Sequence, residues 1–212
     1  MSQDQDCLAE RRRIEENIAR TVQEILSREL GPDACRRLVA LALSQAALDP
    51  APPFPLPVTI LAQRRIEGQL IRYFHLAIGQ EFGTGEADRL IGLAVESDAT
   101  AAGRRQAALA GGRTDLATFA GILPLWARGG ALEIEILESG PGVLSYDVTR
   151  CQFAEMYREM GLASLGFLLS CGRDAAFMKG YAPGAALKRE GTIMSGDPVC
   201  DFRYRLAQPQ DA

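Results

Sequence analysis

Three cysteines in the last third of the chain each stand beside charge: Arg150 precedes Cys151, Asp174 follows Cys171 by three positions, and Asp201 follows Cys200. A thiol attacks carbon as the thiolate, and a neighbouring cation or a helix N-terminus favours that form. Cys151 falls where a strand pattern gives way to a helical one, so the helix dipole and Arg150 are expected to lower its pKa. Cys171 and Asp174 share one face of a helix. That sets a thiol beside a carboxylate able to activate water or pass a proton, given burial enough to raise its pKa. In "TIMSGDPVCDFRYRL" (192–206) the alternation turns Cys200, Phe202, Tyr204 and Leu206 one way and Asp201, Arg203 and Arg205 the other. Cys200 is therefore expected to face a core or a pocket. Arg150, Arg189 and Arg203 suit bidentate capture of a substrate carboxylate. The competing account makes Cys171 and Cys200 core fillers, as free cysteines commonly are, and the arginines a solvated strand face. Cys7 and Cys35 lie in surface-type helices.

Other chemistries find less support. Cys151, Cys171, Cys200 and Asp174, or Cys and Asp with His75, are the residue types of a tetrahedral metal site; because no CxxC pair occurs, a thiol–metal protein stands as a third reading, ranked below a metal-free thiol site that needs no cofactor. His75 is the one histidine, which excludes a two-His metal motif within the chain and leaves a Ser/His/Asp triad a single candidate. In "IRYFHLAIG" it reads as a partly buried, hydrogen-bonded helix residue. "FGTGEAD" (82–88) has neither a preceding strand nor a following GK[ST], so it is no nucleotide loop.

The bulk composition limits the partners. A net charge of −4 with a sequence pI near 5.2 argues against a nucleic-acid-binding surface. No apolar run approaches the ~18 residues of a membrane span, and "MSQDQDCLAERRR" has no apolar segment of a secretory signal. Five widely spaced cysteines do not form a disulfide framework, which points to a reducing, cytoplasmic setting. The apolar helices leave room for a homo-oligomer.

The elements that must hold these residues change character along the chain. Ile14, Ile18, Val22, Ile25 and Leu26 recur at helical spacing between Leu8 and Leu30, with i,i+4 ion pairs such as Arg11 with Glu15. Gly31-Pro32 stops that helix, and Asp33 is expected to cap a second one reaching about Leu48. A proline-rich connector follows over 49–57. Helical patterns resume over 59–79, from about Glu86, and from a cap at Thr114 to Gly129-Gly130. Then "ALEIEILESG", the turn Gly140-Pro141-Gly142 and "VLSYDVT" form a hairpin. Two helices follow, ended by Gly161 and Gly180, and then strands in "AALKREGTIM" and "VCDFRYRL". The expected fold is α+β: a helical region over 1–130, then a ββααββ antiparallel-sheet region over 131–212 that carries the site, packed together as one domain.

Residues 148–205 resemble the family of 2-aminothiazoline-4-carboxylic acid hydrolases. The resemblance rests on Val148-Thr149-Arg150-Cys151 leading into an aromatic-rich helix and Gly161, then Cys171 with Asp174. It continues through Leu187, Arg189 and Thr192 to Gly196-Asp197 and Cys200-Asp201-Phe202-Arg203. It implies a cofactor-independent hydrolase that opens a small heterocycle at a C–S or C–N bond. The family's name-giving reaction converts a cyclic, cysteine-derived amidine to an N-carbamoyl cysteine. It further implies Cys151, Cys171, Asp174 and Cys200 as catalytic candidates and Arg150, Arg189, Thr192, Asp201 and Arg203 as substrate-binding ones. Two mechanisms remain open: attack by a thiolate of Cys151 or Cys171, or attack by water that Asp174 activates, with the cysteines shaping the pocket. The last strands are also similar to small-molecule-binding domains of the vinyl-reductase and haem-NO-binding type, which implies a binding module without turnover as the alternative.

Overall fold

The computed structural model describes residues 3–49 and 57–207, so the proline-rich connector lies outside the described residues apart from its two ends. In chain order the helices before the sheet are α1 (Gln3–Leu30), α2 (Pro32–Ala47), α3 (Ile60–Phe82), α4 (Thr84–Leu109), α5 (Leu116–Ala120) and α6 (Leu123–Trp126). A hairpin of β1 (Leu132–Gly140) and β2 (Val143–Cys151) follows, then α7 (Gln152–Glu159), α8 (Ala163–Gly166), α9 (Gly172–Tyr181), β3 (Ala185–Lys188) and β4 (Cys200–Leu206). The fold is α+β, as the pattern of residues implied. Contacts group the chain into two compact units, Met1–Val95 with Tyr157–Leu169, and Glu96–Met156 with Ser170–Ala212.

The first unit is helical. Ile14, Ile18, Val22 and Leu26 of α1 are buried, as are Leu38 and Ala42 of α2 and Ile71, Phe74 and Ile78 of α3. Their three-to-four spacing makes one apolar stripe per helix. The α1–α2 corner turns on Gly31, whose φ of 83° suits only glycine. Pro32 then takes the first helical position, where its missing N–H costs nothing. Asp33 therefore sits inside the first turn, paired with Arg36, and is not the cap the sequence suggested. Cys35 is buried rather than on a surface face, and its thiol donates to the Gln23 carbonyl. His75 is half-buried with Nε2 2.8 Å from Asp88 Oδ1. Among the described residues no helix is long and apolar enough to cross a membrane.

The second unit is the sheet and its cover. The order is β1-β2-β4-β3, antiparallel throughout, with Val148 opposite Cys200, Tyr146 opposite Phe202, and Leu187 opposite Tyr204. Those residues share the inner face, against which α5 and α9 pack. α9 in turn lies hard against the C-terminal half of α4: a Cβ on Gly103 would stand 2.1 Å from the Phe177 carbonyl oxygen, and one on Gly180 would stand 2.0 Å from that of Thr100. Asp98 pairs with the buried Arg173 along the same seam.

Several local expectations give way to stronger local chemistry. The 114–130 stretch holds two short helices, the first capped by Asp115, which accepts the Thr118 N–H, and not a single helix capped by Thr114. The helix ending in α9 runs past Gly180 to Tyr181 and is preceded by a π-turn over Phe167–Cys171. The third strand stops at Lys188 because its continuation is folded back: Asp201 accepts the N–H groups of Glu190 and Gly191, and Asp197 accepts that of Thr192. Ile136, expected on a half-buried face, lies at the open edge of β1 and is exposed.

Candidate functional site

The first residue of β4 is Cys200. Its inward parity puts Sγ under the 190s loop, where it accepts the Ile193 N–H at 3.2 Å. Cys151 ends β2 where α7 begins, and its sulfur accepts the N–H groups of Phe153 and Ala154, so it caps that helix. Cys171 closes the π-turn at the start of α9. A π-turn displaces the regular i−4 bonding and leaves carbonyls to find other donors; the Cys171 carbonyl accepts from Arg189 Nη2 at 3.0 Å. One helical step on, Asp174 Oδ2 accepts from Arg189 Nη1 at 2.5 Å. The same guanidinium lies 4.9 Å over the Phe202 ring, a favourable placement for a cation with little water around it. Arg189 thus ties together the π-turn, the carboxylate and the inner face of the sheet, and its side chain is 11% exposed.

The thiols and this ion pair feel one another. Burial pushes Cys171 up to about 12, with Asp174 adding to the rise and Arg189 opposing it. Burial pushes Cys200 to about 11 against the pull of the Ile193 N–H. Cys151 is raised too, chiefly by burial, although two helix N–H groups favour its thiolate. The expectation of a lowered pKa at Cys151 is therefore corrected: the helix terminus is where the sequence placed it, but desolvation outweighs it. Arg150 contributes little, since its guanidinium is on the surface, shared between Glu155 and Glu133. At neutral pH all three thiols carry their protons.

Hydrogen bonds join Arg189 to Asp174 and to the Cys171 carbonyl, and Cys151 and Cys200 interact electrostatically with that group, while the other residues singled out make their contacts elsewhere. Arg203 has the opposite strand parity, and on the outer face it donates to Asp147 and to the Tyr146 carbonyl. Asp201 is spent on the backbone of the 190s loop. Thr192 is buried as the cap of the short helical turn Ile193–Ser195. His75 belongs to the other unit. Among the described residues no group of three or more His, Cys, Asp and Glu side chains is arranged to hold a metal ion.

Two residues escaped the sequence reading. Tyr146 and Tyr204 lie on the inner face beside Phe202; Tyr146 stacks on Phe202 with centroids 4.7 Å apart. Their hydroxyls share a hydrogen bond. Both are fully buried phenols whose pKa is pushed up by desolvation, with Asp174 adding to the rise in each. The signal was present: Tyr204 has the parity of Cys200, and Tyr146 is inward in the paired strand.

A family model described as L-2-amino-thiazoline-4-carboxylic acid hydrolase matches residues 63–204. No curated protein matches the chain. Among solved structures, it is similar to an Fe(II) unliganded H-NOX protein from K. algicida, with a TM-score of 0.47 and 8% identity over 91% of this chain and 96% of that one. A point mutant of the same protein gives a TM-score of 0.46 and 9% identity over 90% and 95% of the two chains.

Proposed function

We propose that this chain, which belongs to the L-2-amino-thiazoline-4-carboxylic acid hydrolase family, is a hydrolase that opens a small cyclic amidine such as 2-aminothiazoline-4-carboxylate to an N-carbamoyl amino acid. The observation that supports the reading is the half-buried Asp174–Arg189 ion pair between α9 and the inner face of the sheet, with three protonated thiols that interact electrostatically with it.

Of the two mechanisms open from the sequence, the electrostatics favour water as the nucleophile. A thiol pushed to about 12 holds roughly one part in 10⁵ as thiolate near pH 7, and neither Cys151 nor Cys200 has a lower-than-usual pKa. Asp174 is the acceptor for a proton from water. Water adds at the amidine carbon: a C–O bond forms as one water proton passes to Asp174, the C=N π pair moves to nitrogen, and that nitrogen takes the proton back from Asp174. The C–S bond then breaks with its pair leaving on sulfur. The sulfur takes the proton of the new hydroxyl as the urea carbonyl forms, and one water is consumed. Arg189 supplies the positive charge for the substrate carboxylate and holds Asp174 in place. The thiols of Cys151, Cys171 and Cys200 give the ring sulfur a soft, polarizable wall without competing as nucleophiles.

Kinetics of four variants test this. Asp174→Asn removes the acceptor and keeps the shape, and turnover falls by about 10²–10⁴-fold, the usual contribution of a general base. Cys151→Ala, Cys171→Ala and Cys200→Ala keep measurable turnover. A folded Asp174→Asn variant with wild-type turnover, or abolition by a single cysteine variant, contradicts the water mechanism. Unchanged ligand bound without product points instead to a binding module.

A further inference from the structure

We infer that Asp201 is a positioning residue for the reaction: by holding the backbone just past β3 it fixes the strand register that keeps Arg189 on the inner face, against Asp174 and the substrate carboxylate. The inference rests on the hydrolase reading, which gives Arg189 that carboxylate, and deepens it by naming what enforces the selectivity.

The starting point is a short strand. β3 has four residues and lies at the edge of the sheet, paired with β4 alone. Leu187 opposite Tyr204 faces inward and Lys188 opposite Arg203 outward, so alternation turns the next residue, Arg189, inward. There its guanidinium lies over the Phe202 ring and bonds Asp174 and the Cys171 carbonyl. A slip of one residue would send that side chain to the outer face and break all three contacts. The register is pinned immediately after Arg189. The N–H groups of Glu190 and Gly191 both reach Asp201 Oδ1, at 3.0 and 2.7 Å, and that of Glu190 is also 3.2 Å from Oδ2. Consecutive N–H groups of an extended strand point opposite ways, so their convergence on one oxygen takes the chain out of the strand at this point.

The following two N–H groups are held in the same manner: Thr192 donates to Asp197 Oδ2 at 2.8 Å and Ile193 to Cys200 Sγ at 3.2 Å. Four successive backbone donors, at 190–193, are thus accepted by side chains from 197–201. Among those acceptors Asp201 takes the two donors next to Arg189. It is also a β4 residue, so it ties the loop to the sheet, whereas Asp197 belongs to the loop it closes. The task needs an acceptor oxygen and not a charge, since Oδ1 alone receives both N–H groups. That differs from the substrate-binding role the family resemblance implies for Asp201. A carboxylate repels a substrate carboxylate, and this one acts on the substrate only through the place it gives to Arg189.

The test compares kcat/KM for 2-aminothiazoline-4-carboxylate with kcat/KM for 2-aminothiazoline, the same ring without its carboxylate. Both are measured in wild type, Asp201→Ala and Asp201→Asn, alongside unfolding midpoints. The readout is the ratio of the two values, because a smaller folded fraction lowers both alike and cancels. Asp201→Ala lowers the preference for the carboxylate by about tenfold, the size of one lost hydrogen bond to a charged group. Asp201→Asn removes the charge, keeps an oxygen able to accept both N–H groups, and holds the ratio within about threefold of wild type. Should Asp201→Ala fail to fold, Asp201→Glu takes its place: it keeps the charge, displaces the oxygens by a methylene, and lowers the ratio in the same direction. A folded Asp201→Ala enzyme, or Asp201→Glu in its place, with the wild-type ratio overturns the assignment and leaves the hydrolase reading standing. An Asp201→Asn ratio that falls as far as that of Asp201→Ala overturns it too, since the charge would then act on the substrate directly. Wild-type turnover with no preference for the carboxylate removes the role of Arg189 and this inference with it, while hydrolysis remains. A wild-type protein with no turnover on either compound overturns both readings.

Discussion

Alkylation of Cys171 probes the site's electrostatics without a substrate. The perturbation is pH, and the quantity worked from the structure is a thiol raised to about 12 from an ordinary 9.0. At pH 7.5 that rise cuts the thiolate fraction about 10³-fold. A more basic thiolate is intrinsically more reactive, with a Brønsted slope of about 0.45, which returns roughly 1.3 log units. The net expectation is about 50-fold slower reaction with iodoacetamide than an unstructured cysteine peptide in the same tube, before any exclusion of the reagent by burial. The assay is timed quenching, digestion and mass spectrometry of the peptide containing residue 171. Exclusion alone scales the rate by a constant, so the shape of the pH curve separates the two effects. Between pH 8 and 10.5 the logarithm of the Cys171 rate climbs with a slope near one and does not level, while the reference peptide levels off near 9. A Cys171 curve that levels with the reference, or one that reacts as fast as the peptide at pH 7.5, refutes the reasoning.

Other predictions follow from the same geometry. Asp174→Asn removes a charge that raises Cys171 while Arg189 still opposes the rise, so alkylation of Cys171 speeds up by severalfold in that variant at fixed pH. The raised thiols make stability fall in alkali: unfolded thiols release protons near their ordinary pKa, so the contribution is complete below about pH 9 and is lost as pH rises toward about 11 for Cys200 and about 12 for Cys171. For Cys171 the limit is roughly 4 kcal/mol, three units at ~1.36 each, read as a fall in the urea midpoint that Cys171→Ala lessens. Gly103→Ala and Gly180→Ala, which in an open helix stabilise by roughly 1 kcal/mol, here destabilise by about 3 kcal/mol or more, because each new methyl meets a backbone carbonyl; chemical denaturation reads the sign. Asp201→Ala frees the N–H groups of Glu190 and Gly191 and costs about 1–3 kcal/mol, again by denaturation.

How far the site was legible depends on which force placed each residue. Strand alternation is a short-range rule, so the inward parity of Cys200, Phe202 and Tyr204 and the outward parity of Arg203 follow from β4 alone. By the same rule Arg203 was a poor partner for Cys200 from the start, and the outer-face bond to Asp147 shows where its charge is used. Arg189 could not be singled out from Arg150 in this way. It lies just beyond β3, and its direction is set by a carboxylate fifteen residues earlier and by a carbonyl exposed by the π-turn. Nothing in "FLLSC" announces such a turn, since propensity and periodicity both read it as helix. The capping errors at Asp33 and Thr114 are slips of one or two residues among several residues able to cap, which the glycine at 31 and the aspartate at 115 decided through backbone geometry. The expected direction of the Cys151 pKa failed for a deeper reason. A helix terminus and a neighbouring arginine are visible in sequence, whereas desolvation depends on everything packed around Cys151, and here desolvation is larger.

The most direct measurement of the central claim is a thiol and mass balance on wild-type protein incubated with 2-aminothiazoline-4-carboxylate. The account predicts a product heavier than the substrate by one water, with one new thiol titrated for each substrate consumed, and loss of both signals in Asp174→Asn. Substrate recovered unchanged, with no new thiol at any protein concentration or neutral pH, contradicts it.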